Sequence, residues 1–177
     1  MANRSKKAML SARVDPYLKV GLDLLAESRG VKTVKVLETI LENGLSDAMV
    51  RCDLKPGEKL LSFMLVLTAI WSDDEAILRL RAGELGPPVA NERTWKISSV
   101  IREEGCFRGD DDLFGDMNGT AEKYGLVPPT CPKLDLDRVR SEWEMVGDYV
   151  DFLENNKPIE PTYEQYKAMR VKGEAKG

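Results

Sequence analysis

Met9-Leu-Ser-Ala-Arg-Val-Asp-Pro-Tyr-Leu-Lys-Val-Gly-Leu-Asp-Leu-Leu-Ala-Glu-Ser-Arg-Gly30, continued by Thr33 to Leu45, decides the fold of the N-terminal part of this 177-residue chain. Over its first six positions Leu10, Ala12 and Val14 alternate with Met9, Ser11 and Arg13, the period of two that marks a strand with one buried face. Asp15-Pro16 then opens a helix, because Asp can accept from free first-turn amides and Pro needs no amide partner there. Leu18, Leu22, Leu25 and Ala26 follow at helical spacing on one face. Gly30 is placed to end that helix in a left-handed turn, and Thr33 to cap a second helix with the apolar face Leu37, Ile40, Leu41 and Leu45. One strand and two short helices enclose too little core to stand alone, and a lone strand has two open edges. A symmetric partner that pairs the strands is the cheapest completion, so a homodimer, or a higher oligomer built from it, is expected.

These residues resemble the ribbon-helix-helix repressors, over roughly a quarter of the chain. The resemblance implies an antiparallel ribbon, one strand from each copy, lying in the major groove of double-stranded DNA. Carried over position by position, Met9, Ser11 and Arg13 would read bases. Leu10, Ala12, Val14, Leu18, Leu22, Leu37, Ile40 and Leu41 would form the dimer core. Arg13 is the strongest reader, because its planar fork can donate two bonds to guanine. The resemblance also implies phosphate contacts at the start of the second helix, at Lys32, Thr33, Val34 and Lys35, with Lys6 and Lys7 adding charge. Here the chain departs from the family pattern, with Val31-Lys32-Thr33-Val34 where small hydroxyl residues are commoner. Gly21, inside the first helix, costs about 1 kcal/mol relative to Ala and suggests close packing or a tolerated defect.

Charge divides the chain. Residues 1–45 carry eight Lys/Arg against five Asp/Glu, a net of +3, and residues 46–177 carry eighteen against twenty-five, a net of −7. Met1 to Val14 holds Arg4, Lys6, Lys7 and Arg13 with no acid at all, a local field that attracts a polyanion although the whole chain is at −4.

The zero histidine count removes Ser-His-Asp and Cys-His triads and the usual neutral-pH general base, so no enzymatic activity is expected. Cys52, Cys106 and Cys131 are sparse and unpaired in spacing, which fits a reducing compartment and neither a disulfide framework nor a zinc site. The basic N-terminus lacks a signal peptide's apolar run, and Leu60 to Trp71 is about half of the roughly 20 residues a membrane span needs. A cytoplasmic protein without membrane contact, metal or cofactor is therefore expected.

The whole reads as a mainly α-helical protein with one N-terminal β-strand: a ribbon-helix-helix module over residues 1–48, then a helical C-terminal domain over residues 58–177. Ser46 to Gly57 reads as a linker ending in a Lys55-Pro56-Gly57 turn, and Glu58 to Trp71 as a buried helix. Helices are expected over Ala76 to Ala82 and Glu92 to Glu104, and from Asp135 or Asp137 to about Asn155. The last carries a stripe of Leu136, Val139, Trp143, Val146, Val150 and Leu153 that suits a core face or a pairing seam. A short helix over Thr162 to Val171 follows. The Gly-broken acidic segment from Glu103 to Glu122 reads as a solvated loop or a surface for a basic protein partner. Asp116-Met117-Asn118-Gly119 fails as a calcium loop, since Phe114 and Gly125 would fall at the ligand positions. A sequence-specific DNA-binding regulator is the function this reading favours, either a transcriptional repressor or a plasmid- or phage-type accessory. The alternative is a dimeric interaction module whose acidic C-terminal domain binds a basic protein, as an antitoxin or inhibitor would.

Overall fold

A computed structural model of the chain describes residues 9–115 and 117–174. The fold is mainly helical with a small two-stranded sheet, and it divides into two compact units, Met1–Leu45 and Ser46–Gly177.

In the first unit, α1 (Pro16–Arg29) and α2 (Thr33–Asp47) stand where the apolar periodicity puts them. Gly30, at φ 61°, closes α1: its amide donates to the Glu27 carbonyl, and that of Val31 donates to Ala26. Two expected caps are not side-chain caps. Asp15 receives the amides of Leu18 and Lys19 on its backbone carbonyl, and its carboxylate makes no capping bond. The carbonyl of Lys32, rather than Thr33, receives the first bonded amides of α2, those of Lys35 and Val36. The expected strand over Met9 to Val14 is absent, because a ladder needs a second backbone and the single chain brings none to this segment. Among the described residues, the backbone of α1 aside, no atom lies within 4 Å of a Cβ added at Gly21, so close packing there is not met by them.

The second unit opens with a β-hairpin, which corrects both the expected linker and the expected start of the next helix. β1 (Met49–Lys55) pairs antiparallel with β2 (Glu58–Ser62), in register Met49 to Ser62 and Val50 to Leu61. Cys52 and Leu54 point inward between exposed Arg51 and Asp53, and Gly57, at φ 81°, supplies the left-handed turn residue. The helix expected from Glu58 starts only at Phe63: Ser62 ends β2 and caps α3 (Phe63–Ile70), accepting from the Leu65 amide at 3.2 Å.

Asp74 caps α4 (Glu75–Glu84), and Asn91 caps α5 (Glu92–Glu103). The two pack closely where Gly83 meets Ser98. The acidic segment is more ordered than the expected solvated loop. It holds β3 (Arg108–Asp111), bridged to Leu134, and α6 (Thr120–Tyr124), and buried Phe107, Leu113, Phe114, Met117 and Thr120 fasten it to the core. The acids Asp110, Asp111 and Asp112 stay exposed. Buried Arg81 donates to the carbonyls of Leu113 and Trp71, tying α4 to this segment.

Asp135 caps α7 (Leu136–Asn155), whose Val139, Val146 and Val150 are buried in the core of this unit, so the stripe is a core face. Buried Tyr163 starts α8 (Tyr163–Glu174) and donates to Glu142 at 2.8 Å. Lys167 donates to the other oxygen of Glu142 at 2.9 Å. Burial alone would raise the Glu142 carboxyl, but these hydrogen bonds and the charges of Lys167 and Arg138 outweigh it and hold the group below its usual range.

Two outcomes test this packing. A methyl added at Gly83 would sit 2.6 Å from the Ser98 Cβ and 2.9 Å from the Thr94 carbonyl oxygen, so Gly83→Ala should cost about 1–3 kcal/mol in urea unfolding. An unchanged midpoint would refute the close crossing. A carboxyl lowered in the folded state stabilises above its unfolded pKa, and that contribution is lost as pH falls through the folded value. Glu142→Gln should therefore loosen α8 at pH 7, seen as faster amide exchange over Tyr163–Glu174, while the difference from wild type fades in acid; a pH-independent difference would exclude the ionic contribution.

Candidate nucleic-acid interface

Met9, Ser11 and Arg13 are exposed, as are Leu10, Ala12 and Val14, so the single chain does not by itself sort this segment into an inner and an outer face. Leu10 is 69% and Val14 54% exposed, values that cost free energy unless something covers them. Among the described residues Arg13 has no ion-pair partner. On the helices, Leu18, Ile40 and Leu41 are also exposed, at 46%, 46% and 44%, while Leu22 and Leu37 are half-buried. The residues assigned to a dimer core thus form apolar surface that one copy leaves largely in water. Lys6 and Lys7 lie outside the described residues.

The start of α2 gathers Lys32, Thr33 and Val34 around a notch that also holds Asp23 and Glu27. The amides of Thr33 and Val34 precede the first bonded one, as at any helix start, and so are free to meet an anion. Beside them, the Thr33 hydroxyl donates to Asp23 Oδ1 at 3.1 Å, and Lys19 pairs with Oδ2 at 2.8 Å. The hydrogen bonds from Lys19 and then Thr33 hold the Asp23 carboxyl below its usual range, so a negative charge stands next to the expected phosphate contact. Lys35 is engaged by Glu38 at 3.7 Å, and Lys32 is exposed without an ion-pair partner among the described residues. Of the expected phosphate contacts, Lys32 and the two free amides are the best placed.

α5 begins with Arg93-Thr94-Trp95-Lys96, a faint likeness to a groove-reading helix, yet its cations are spent within the unit. Arg93 makes a two-bond fork with Asp151, at 2.9 Å each, and Lys96 pairs with Glu92 and Glu154. Thr94 is buried.

A second cluster has the outward form of a nucleophile with its base. Cys131 donates to Glu84 Oε2 at 3.2 Å, Ser98 donates to Oε1, and Arg102 lies 3.7 Å from Oε2. The electrostatics oppose attack: burial first, then the Glu84 charge, push the Cys131 thiol up to about 12. Among the described residues no group of three or more Cys, Asp or Glu is arranged to hold a metal ion, and no helix is long and apolar enough to cross a membrane.

Sequence reasoning did not find one cavity of the second unit, a groove lined by α5, α7 and residues 157–162. It joins positions some sixty residues apart, and no local periodicity signals that. Comparison with protein-family models, curated proteins and solved structures finds no match.

Cys131 should react with a disulfide reagent at pH 8 far more slowly than a free thiol, since a pKa of about 12 leaves roughly one thiol in ten thousand ionised. Glu84→Gln should speed the reaction; a wild-type rate equal to that of a free peptide thiol would overturn the assignment.

Proposed function

We propose that the chain is a sequence-specific DNA-binding regulator that works as a homodimer. In this reading residues 9–14 of two copies pair as an antiparallel ribbon and enter the major groove. The observation that carries it is a coincidence: the acid-free basic run of the chain overlaps an exposed alternating segment. That segment leads into two helices whose Leu18, Ile40 and Leu41 are left exposed by a single copy. Pairing gives the orphan backbone groups of the segment partners and covers Leu10, Ala12 and Val14, turning Met9, Ser11 and Arg13 outward. Arg13 then donates both arms of its fork to guanine, while Ser11 can donate to or accept from a base edge. Lys6, Lys7, Lys32 and the free amides of Thr33 and Val34 hold phosphates and fix the register without reading sequence. Repression follows from occupying a palindromic site, since the two-fold axis of a dimer imposes matching half-sites. A plasmid- or phage-type accessory role uses the same contacts.

DNA selected from a random pool by the full chain, at two salt concentrations, tests the proposal. A palindrome should emerge, Arg13→Ala should cost about 1–3 kcal/mol and relax one base position, and sedimentation should show a dimer. If binding is absent, or is sequence-blind and changed by Arg13→Ala only by one charge's worth of salt dependence, the ribbon does not read DNA. Retained binding to a basic protein that is lost on neutralising Asp110, Asp111 and Asp112 would then favour the interaction-module reading.

A further inference from the structure

The groove between α5 and residues 157–162 has a volume of about 720 Å³, within the size range of small-molecule sites. Tyr149, Val150 and Leu153 of α7 line it together with Trp95, a residue 40% exposed. The far lip is fixed in place: the Tyr149 hydroxyl donates to the Pro161 carbonyl at 2.7 Å, and the Tyr149 ring packs against Tyr163 and Tyr166. A ligand entering here would meet a preformed wall, so little ordering cost accompanies binding.

The charges around the groove are unequal once pairs are set aside. Lys96 is held by Glu92 and Glu154, and Arg102 lies beside Glu84. Glu103 and Glu160 line the groove without an ion-pair partner among the described residues, and the Glu104 carboxylate accepts from the Tyr163 amide. Lys157 is the one lining cation without a partner among the described residues. After burial, the charges of Glu104 and Glu160 hold the hydroxyl of the lining Tyr149 above its ordinary range.

We infer that this groove binds an organic cation with an apolar body, its charge set among Glu103, Glu104 and Glu160 and its apolar part against Trp95, Val150 and Leu153. An aromatic face beside uncompensated carboxylates attracts a weakly hydrated cation by both charge and ring quadrupole. An anion of the same shape meets the same apolar wall with the charge term reversed. A neutral apolar molecule would cover the carboxylates and leave them without water or a counter-charge. The site lies wholly in the second unit and does not rest on the DNA reading.

Calorimetric titration of the full chain with tetraphenylphosphonium and with tetraphenylborate, ions of one shape and opposite charge, tests the inference. The phosphonium should bind saturably and about tenfold or more tighter than the borate. The pair Glu103→Gln and Glu160→Gln, both exposed positions without ion-pair partners among the described residues, should weaken it about tenfold, and Lys157→Gln should tighten it. Trp95→Leu should weaken it and narrow, without abolishing, the preference for positive charge. Equal affinity for the two ions, the absence of saturable phosphonium binding, or affinity unmoved in the double variant would each overturn the proposal.

Discussion

The N-terminal unit does not bury enough apolar surface to account for its own order, and most of what can be said of function depends on that shortage. Its helices span 14 and 15 residues, yet only Ala26 and Val36 are buried. Ordering a residue costs backbone freedom that burial of apolar surface has to offset, and two buried side chains leave much of the apolar surface of these helices in water. The exposed leucines, isoleucine and valine of this unit are the material from which a second copy could make up the difference. The same pairing would supply the backbone partner that residues 9–14 lack. One physical requirement, coverage, thus links the missing strand, the exposed core residues and the proposed groove-reading ribbon.

The second unit meets its own requirement internally. Its core runs from Leu54 of the hairpin through Val66, Leu80 and Ile101 to Val139 and Val146. Polar groups that enter this core are partnered: Arg81 spends its donors on loop carbonyls, and Glu84 gathers Ser98, Cys131 and Arg102. Such networks fix one arrangement of the connecting segments, because removing either partner strands the other in a low-dielectric interior. The Glu84 cluster thus disfavours the Cys131 thiolate, while the groove beside α5 keeps Glu103 and Glu160 without an ion-pair partner among the described residues.

Legibility followed the range of the forces involved. Helices with strong apolar periodicity, α1, α2, α5 and α7, were readable because their pattern is local, and Gly30 and Asp135 marked ends for the same reason. The hairpin was overlooked although Val50, Cys52 and Leu54 alternate with Arg51, Asp53 and Lys55. That period-2 signal sits in a polar stretch, and the turn at Pro56-Gly57 drew it into the reading of a linker. The acidic segment misled because net charge was given more weight than its Phe107, Leu113, Phe114 and Met117, which are anchors. The set of candidate DNA contacts is what the resemblance to the ribbon-helix-helix repressors implies. The neighbouring carboxylate of Asp23 could not be foreseen, since it reaches Thr33 only through the geometry of the α1–α2 turn.

The acidic balance of the whole chain does not oppose a polyanion at the N-terminus. At physiological ionic strength a charge is felt over about 8 Å, so the −7 of residues 46–177 acts weakly on any phosphate not in near contact with it. The groups that meet DNA at contact distance in the proposed complex are Lys32 and the cations of residues 4–13, and the run from Met1 to Val14 carries no carboxylate. A dimer doubles that cationic run along one ribbon, whereas a monomer offers it once, so coverage of apolar surface and attraction to phosphate strengthen each other. In the proposed complex the exposed acids of the second unit would have a separate consequence: they would disfavour nonspecific coating of DNA by that unit and leave the choice of site to the proposed ribbon.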